Sequence, residues 1–161
     1  MTSKRRSQKQ EKSVAKSFSA RPTPASGAKW GQKGDVRSED FLIECKTTKK
    51  DYYTITTKVW EKIRLEATQD HGRIPLLVID LRDSDRYVVF RPQDLDVDIN
   101  IYEAIPHVHG GCKSYKFNGY TDSGLPLLFS LKPDKMNLAN HVLMVMSYAD
   151  FSALNIFDKK E

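Results

Sequence analysis

The chain has 161 residues, 39% hydrophobic and 29% charged, a size and balance suited to one soluble globular domain with a proper core. It contains no apolar run of roughly twenty residues and no apolar signal-peptide segment at its start, so a helical membrane protein is excluded and a cytoplasm-like compartment is expected. The formal charge of +5 is uneven: residues 1–33 hold nine Lys or Arg against one acid, a formal +8, while the remainder, with 17 basic and 20 acidic residues, stands at −3.

That concentration of positive charge at one end fits a polyanionic partner. The first residues, 1–7, read as a flexible basic terminus, and 8–161 as a single domain. From about Ser7 to Ser19 the spacing of Val14 and Phe18 predicts a short helix. Glu11, the lone acid of this segment, is either a salt-bridge partner or a carboxylate directed at a site. Residues 21–34 hold two prolines and three glycines and predict an ordered or ligand-ordered loop. Within it Ser26, Lys29 and Lys33 offer phosphate donors, and Trp30 either stacks on a base or packs on the next element.

The most informative stretch is Lys33 to Lys46. Gly34-Asp35-Val36-Arg37 and Phe41-Leu42-Ile43-Glu44-Cys45-Lys46 have the pattern of two strands joined by the polar turn Ser38-Glu39-Asp40. A period of two puts Glu44 and Lys46 on one face and Ile43 and Cys45 on the other. Paired strands bring Asp35 alongside Glu44. Two facing carboxylates repel unless a cation intervenes, and a hard divalent ion such as Mg2+ prefers such oxygen ligands, with the Cys45 backbone carbonyl as a further donor. Lys46 is placed to orient or deprotonate a water and to stabilise developing charge. Cys45 itself reads as a buried thiol, and two cysteines supply no disulfide framework.

After Lys46 the polar, basic stretch to Tyr52 and Tyr53 lies at the mouth of this site. A helix is expected over about Thr56–His71, with Val59, Trp60, Ile63 and Ala67 inward and Gly72 ending it. Phosphate contacts are expected from Arg5, Arg6, Lys9, Lys12, Arg21, Lys29 and Lys33 of the basic segment, from Lys49, and from Lys58 and Lys62 on that helix. Ile74–Leu81 reads as a strand buried on both faces, followed by a turn and the strand Arg86–Phe90. Asp80 reads as a turn or edge residue rather than as a site carboxylate. Residues 93–113 read as loop; His107, His109 and Cys112 suggest zinc weakly, because a fourth ligand is not evident. Beyond it, strands are expected at Ser114–Phe117 and Leu125–Leu131, then a helix over Met136–Ala149 through Leu138, Val142 and Val145. Phe151, Leu154, Ile156 and Phe157 either close the core or meet a partner. The order of elements predicts a mixed α/β domain.

These residues carry a family resemblance. Gly34-Asp35 and Glu44-Cys45-Lys46, with Glu11 in the first helix and Ser26-Gly27 before the aspartate, resemble the PD-(D/E)xK nuclease superfamily, most closely the archaeal-type Holliday junction resolvases and their phage relatives. The likeness extends through the helix around Lys58–Ala67 and the strand Pro75–Ile79, about residues 11–90, and leaves 91–161 as a C-terminal elaboration. It implies a restriction-endonuclease-like α/β fold, a mixed central sheet flanked by helices. It also implies Mg2+-dependent hydrolysis of DNA phosphodiesters, with Mn2+ able to substitute, and a homodimer that nicks branched DNA in pairs. By matched position Asp35 and Glu44 would be metal ligands, Lys46 the catalytic lysine, Glu11 an aid to the metal or its water, and Ser26 a neighbour of the cleaved phosphate. Gly34 departs from the superfamily's usual proline, as it does in resolvases. A flap, mismatch or plain duplex substrate is the alternative within the same chemistry, and a non-catalytic DNA-binding scaffold the alternative outside it. A phage-encoded chain would work in the host cytoplasm.

Overall fold

The computed structural model describes residues 2–23, 34–98, 105–119, 124, 126–135 and 138–154, with the backbone alone at 105–110. Helix α1 (Ser3–Ser17) starts earlier than expected, because the Thr2 hydroxyl caps it by accepting from the Arg5 N–H at 3.4 Å. Its buried face is Gln10, Val14 and Ala15, continued by Phe18. The two-residue strands β1 (Arg21–Pro22) and β2 (Val36–Arg37) precede β3 (Phe41–Thr48), the strand expected from the alternating pattern. After β4 (Tyr53–Thr56), the Thr56 hydroxyl caps helix α2 (Thr57–Gln69), which buries Trp60, Ile63 and Ala67 at helical spacing. Strands β5 (Ile74–Leu81) and β6 (Asp85–Phe90) follow, then β7 (Ile105–Cys112), β8 (Ser114–Phe117), β9 (Leu127–Leu131), β10 (His141–Ser147) and the short helix α3 (Tyr148–Ser152).

Eight strands form one mixed sheet in the order β1-β2-β3-β5-β6-β10-β9-β7, and β4 and β8 pair as a separate ribbon. The β3–β5 and β7–β9 pairs are parallel and the others antiparallel. Side-chain alternation splits the core into two layers. Ile43, Cys45, Val78, Met144 and Met146 face α1 and α3, while Leu77, Ile79, Val89, Leu143 and Val145 face α2 and the ribbon. The expected mixed sheet flanked by helices is therefore present.

The C-terminal half departs from its sequence reading. His141–Ser147, expected within a helix, is a central strand hydrogen-bonded to β6 and β9. The apolar run from Val142 to Met146 is compatible with either state, and burial decides it. Leu143, Met144, Val145 and Met146 are fully buried on alternating sides, whereas Leu138 and Val142, two of the residues taken for a helical stripe, are 54% and 36% exposed. Residues 105–112, read as loop, form β7 beside β9. Phe151 is buried and Leu154 packs on the core, which assigns this part of the apolar tail to closure of the domain; Ile156 and Phe157 lie outside the described residues.

Gly34 shows why the residue before Asp35 is not proline. Its φ is +69°, a region closed to proline's ring, and a Cβ there would lie 2.7 Å from Leu42 Cδ1. Gly34→Ala is expected to destabilise the fold by about 1–3 kcal/mol, read as a lower urea midpoint at unchanged slope.

Candidate active site

Strand β2 is short, so among the described residues the edge of β3 has no antiparallel partner strand above Ile43. The Val36↔Ile43 register sets Asp35 opposite Glu44. The Asp35 N–H donates to the Ile43 carbonyl at 3.0 Å, and Asp35 Oδ2 accepts from the Cys45 N–H at 2.9 Å. A side chain thus takes the Cys45 N–H and is fixed at the edge. Glu44 points to the α2 side and is only 7% exposed. Lys46 Nζ donates to Glu44 Oε1 at 2.8 Å, and Lys62 Nζ lies 3.8 Å from the same oxygen. Cys45 points the other way into the core, where burial, followed by the charges of Asp35, Glu11, Glu44 and Asp80, pushes its thiol pKa well up. Its thiol is therefore held protonated.

Glu11, partly buried on α1, lies in the electrostatic field of this edge. Burial raises its pKa, and the charges of Asp35 and Glu44 raise it further against the opposing pull of Lys46. The unfolded chain gives up this proton at lower pH than the folded one, so ionised Glu11 subtracts stability above the ordinary glutamate range. Glu11→Gln should therefore melt at higher temperature than wild type at pH 7 in EDTA. That advantage should fade as the pH falls through the raised pKa of folded Glu11 and be gone below about 4.3.

At Lys46, burial works to lower the pKa, but the hydrogen bond and charge of Glu44, with Tyr53 and Asp35, outweigh it and the net shift is upward. The amine is held as an ammonium, suited to charge stabilisation and not to proton abstraction in this arrangement. Tyr53 shares this field: burial raises its phenol pKa, Lys46 lowers it and Glu44 raises it.

Arg5, Lys9 and Lys12 are exposed on α1, as are Arg21 on β1, Lys49 after β3 and Lys58 on α2. Arg6 is partly buried, 3.7 Å from Asp83. Ser26, Lys29, Trp30 and Lys33 lie outside the described residues. Asp80, on the α1 side of the sheet, is held bidentately by Arg86 at 2.8 and 2.9 Å and belongs to the frame rather than the cluster. Cys112 is exposed, with Sγ 3.6 Å from the Ser130 carbonyl; the side chains of His107 and His109 lie outside the description.

Two contributors had no usable sequence signal. Gln10 is buried and donates from Nε2 to the Lys46 carbonyl at 2.8 Å, tying α1 to β3. Its partner is 36 residues away, so no local spacing reveals it. Lys62, which the sequence places on phosphate, lies 3.8 Å from Glu44 Oε1 instead, a contact that depends on how α2 docks. Gln10 also lines, with Arg6, Lys9, Thr47 and Arg86, a cavity of about 260 Å3 on the α1 side of this sheet end.

Among the described residues no three His, Cys, Asp or Glu side chains converge closely enough to form a protein-only metal cage. The donors present are two carboxylates on one strand edge, Asp35 and Glu44, with a third, Glu11, in their field. Mg2+ is commonly held by one or two carboxylates and completes its octahedron with water and phosphate oxygens, so this donor set suits it. Among the described residues no helix is long and apolar enough to cross a membrane.

No protein-family model and no curated protein matches this chain. Among solved structures it is similar to Archaeoglobus fulgidus Hjc, a Holliday junction resolvase from an archaeal hyperthermophile, at 12% sequence identity and a TM-score of 0.42, over 69% of this chain and 87% of that one.

Proposed function

We propose that the chain is a Mg2+-dependent DNA endonuclease that resolves four-way junctions by paired phosphodiester hydrolysis. The observation that carries this reading is the Asp35 carboxylate fixed at the edge of β3 opposite Glu44 and its Lys46 partner, with Glu11 in their electrostatic field. Asp35 and Glu44 would hold the ion, Mg2+ or in its place Mn2+, with the Cys45 carbonyl as a further oxygen donor. When bound, the ion supplies Lewis acidity toward a phosphoryl oxygen and a water of lowered pKa.

This chain's residues do the rest. Asp35 is fixed by the Cys45 N–H and needs no reorganisation to bind. The Lys46 ammonium, oriented by Glu44, neutralises charge that builds on the phosphate during attack. Glu11, with the raised pKa, is suited to take the proton released by the attacking water. The basic face of α1 supplies sequence-independent affinity for the phosphate backbone. Paired symmetric nicks require two such sites, for which a homodimer is the economical arrangement.

The test is a panel of labelled four-way junction, flap, mismatched and linear duplex DNAs in Mg2+ beside EDTA. The proposal expects symmetric nicks in the junction at a rate well above that for linear duplex. Equal cleavage of both would remove the junction assignment and leave a general endonuclease.

A further inference from the structure

The C-terminal elaboration has no part in the cluster above, yet one of its strands is carried to the cluster's mouth. β8 pairs with β4 in the register Thr54↔Lys116 and Ile55↔Tyr115. Alternation turns the fully buried Ile55 and Phe117 inward and leaves Thr54, Ser114 and Lys116 outward and exposed. On β4 the same alternation puts Tyr53 on the inward face, where the charges of Lys46 and Glu44 act on its phenol.

Just before β4, Tyr52 collects two ammonium groups. Lys116 Nζ lies 4.0 Å from the centre of its ring, and Lys50 Nζ lies 5.1 Å from that centre while donating to its hydroxyl at 3.1 Å. One cation comes from the nuclease-like part of the chain and the other from the elaboration. Two like charges gathered on one half-buried ring repel, and the ring's quadrupole offsets only part of that. A polyanion completes the arrangement. Nearby Lys113 differs, because Asp134 holds it at 2.8 Å.

We propose that the outward face of the β4–β8 ribbon, built on Lys50, Tyr52 and Lys116, docks the phosphate backbone of the DNA substrate beside the catalytic cluster. This rests on the reading of DNA as substrate. Charge complementarity and continuity with the cluster through Tyr53 select that occupant. Tyr52 acts here by positioning the two lysines, since its ring is already engaged by Lys116.

The test measures binding of a labelled four-way junction in EDTA, across a salt series, so that no cleavage is needed. For Lys50→Ala/Lys116→Ala the affinity should fall and the slope of log affinity against log salt should become shallower by about 1.8, the loss of two phosphate contacts. Tyr52→Ala should reproduce much of this, and Tyr52→Phe, which keeps the ring under Lys116, should reproduce less. Thr54→Glu on the same face should weaken binding without removing any contact, and circular dichroism checks the fold of each variant. Wild-type binding with variants of unchanged affinity and slope would overturn the ribbon assignment while leaving the DNA reading standing. A wild type that binds no DNA would overturn both.

Discussion

Asp35→Asn is expected to leave the fold and junction binding in place while cleavage in Mg2+ falls by a factor on the order of 10^3 or more, typical of losing a preorganised electrostatic group. The expectation follows from how little else the substitution disturbs. An asparagine oxygen still accepts from the Cys45 N–H, so the edge geometry persists while the negative charge is lost. With that charge gone, the remaining strand carboxylate, Glu44, is already engaged by Lys46 and approached by Lys62. Fluorescence anisotropy in EDTA measures binding and a gel assay in Mg2+ measures cleavage. Loss of both together would indicate a folding defect, and unchanged cleavage would place the chemistry elsewhere.

Arg86→Met is expected to lower stability by about 3–5 kcal/mol, because it strands the buried Asp80 carboxylate without its bidentate partner. Asp80 is 6% exposed, and the Arg86 guanidinium also reaches Ser17 Oγ at 3.3 Å, so the change loosens α1 from the sheet as well. Adding Asp80→Leu should recover much of the loss, since an apolar pair of similar volume replaces a buried ion pair at little cost. Urea denaturation of the single and double variants measures this coupling. If Asp80 were instead a site carboxylate, the double variant would not cleave even with its stability recovered, whereas a frame role leaves cleavage in place.

What the sequence revealed of the site follows the distance over which its contacts act. Asp35 and Glu44 belong to neighbouring strands separated by one short turn, so a period of two and a hairpin register suffice to place them opposite one another. Glu11 required more, because burial and the field of Asp35 and Glu44 depend on how α1 lies on the sheet. Gln10 and Lys62 reach the cluster only through helix docking, and nothing in their spacing reports that.

The fold shows the same division. β5 was legible as a continuous apolar run between turn signals, buried from Pro75 to Leu81. β10 carried a similar run, yet the spacing of Leu138, Val142 and Val145 fits a helix as well. Its strand state is set by hydrogen bonds to β6, over fifty residues earlier in the chain, and to β9. The ribbon was half legible: Ser114–Phe117 looked like a strand, but its pairing with β4, and so the meeting of Lys50 with Lys116, is wholly non-local.

The central claim is that Asp35 and Glu44 together hold one divalent ion. Titration with Mn2+, followed by the electron paramagnetic resonance signal of the free ion, tests it without DNA or turnover. The account predicts saturable binding to wild type, competed by Mg2+ and lost or strongly weakened in Asp35→Asn and in Glu44→Gln. Binding of equal affinity in wild type and both variants would contradict it.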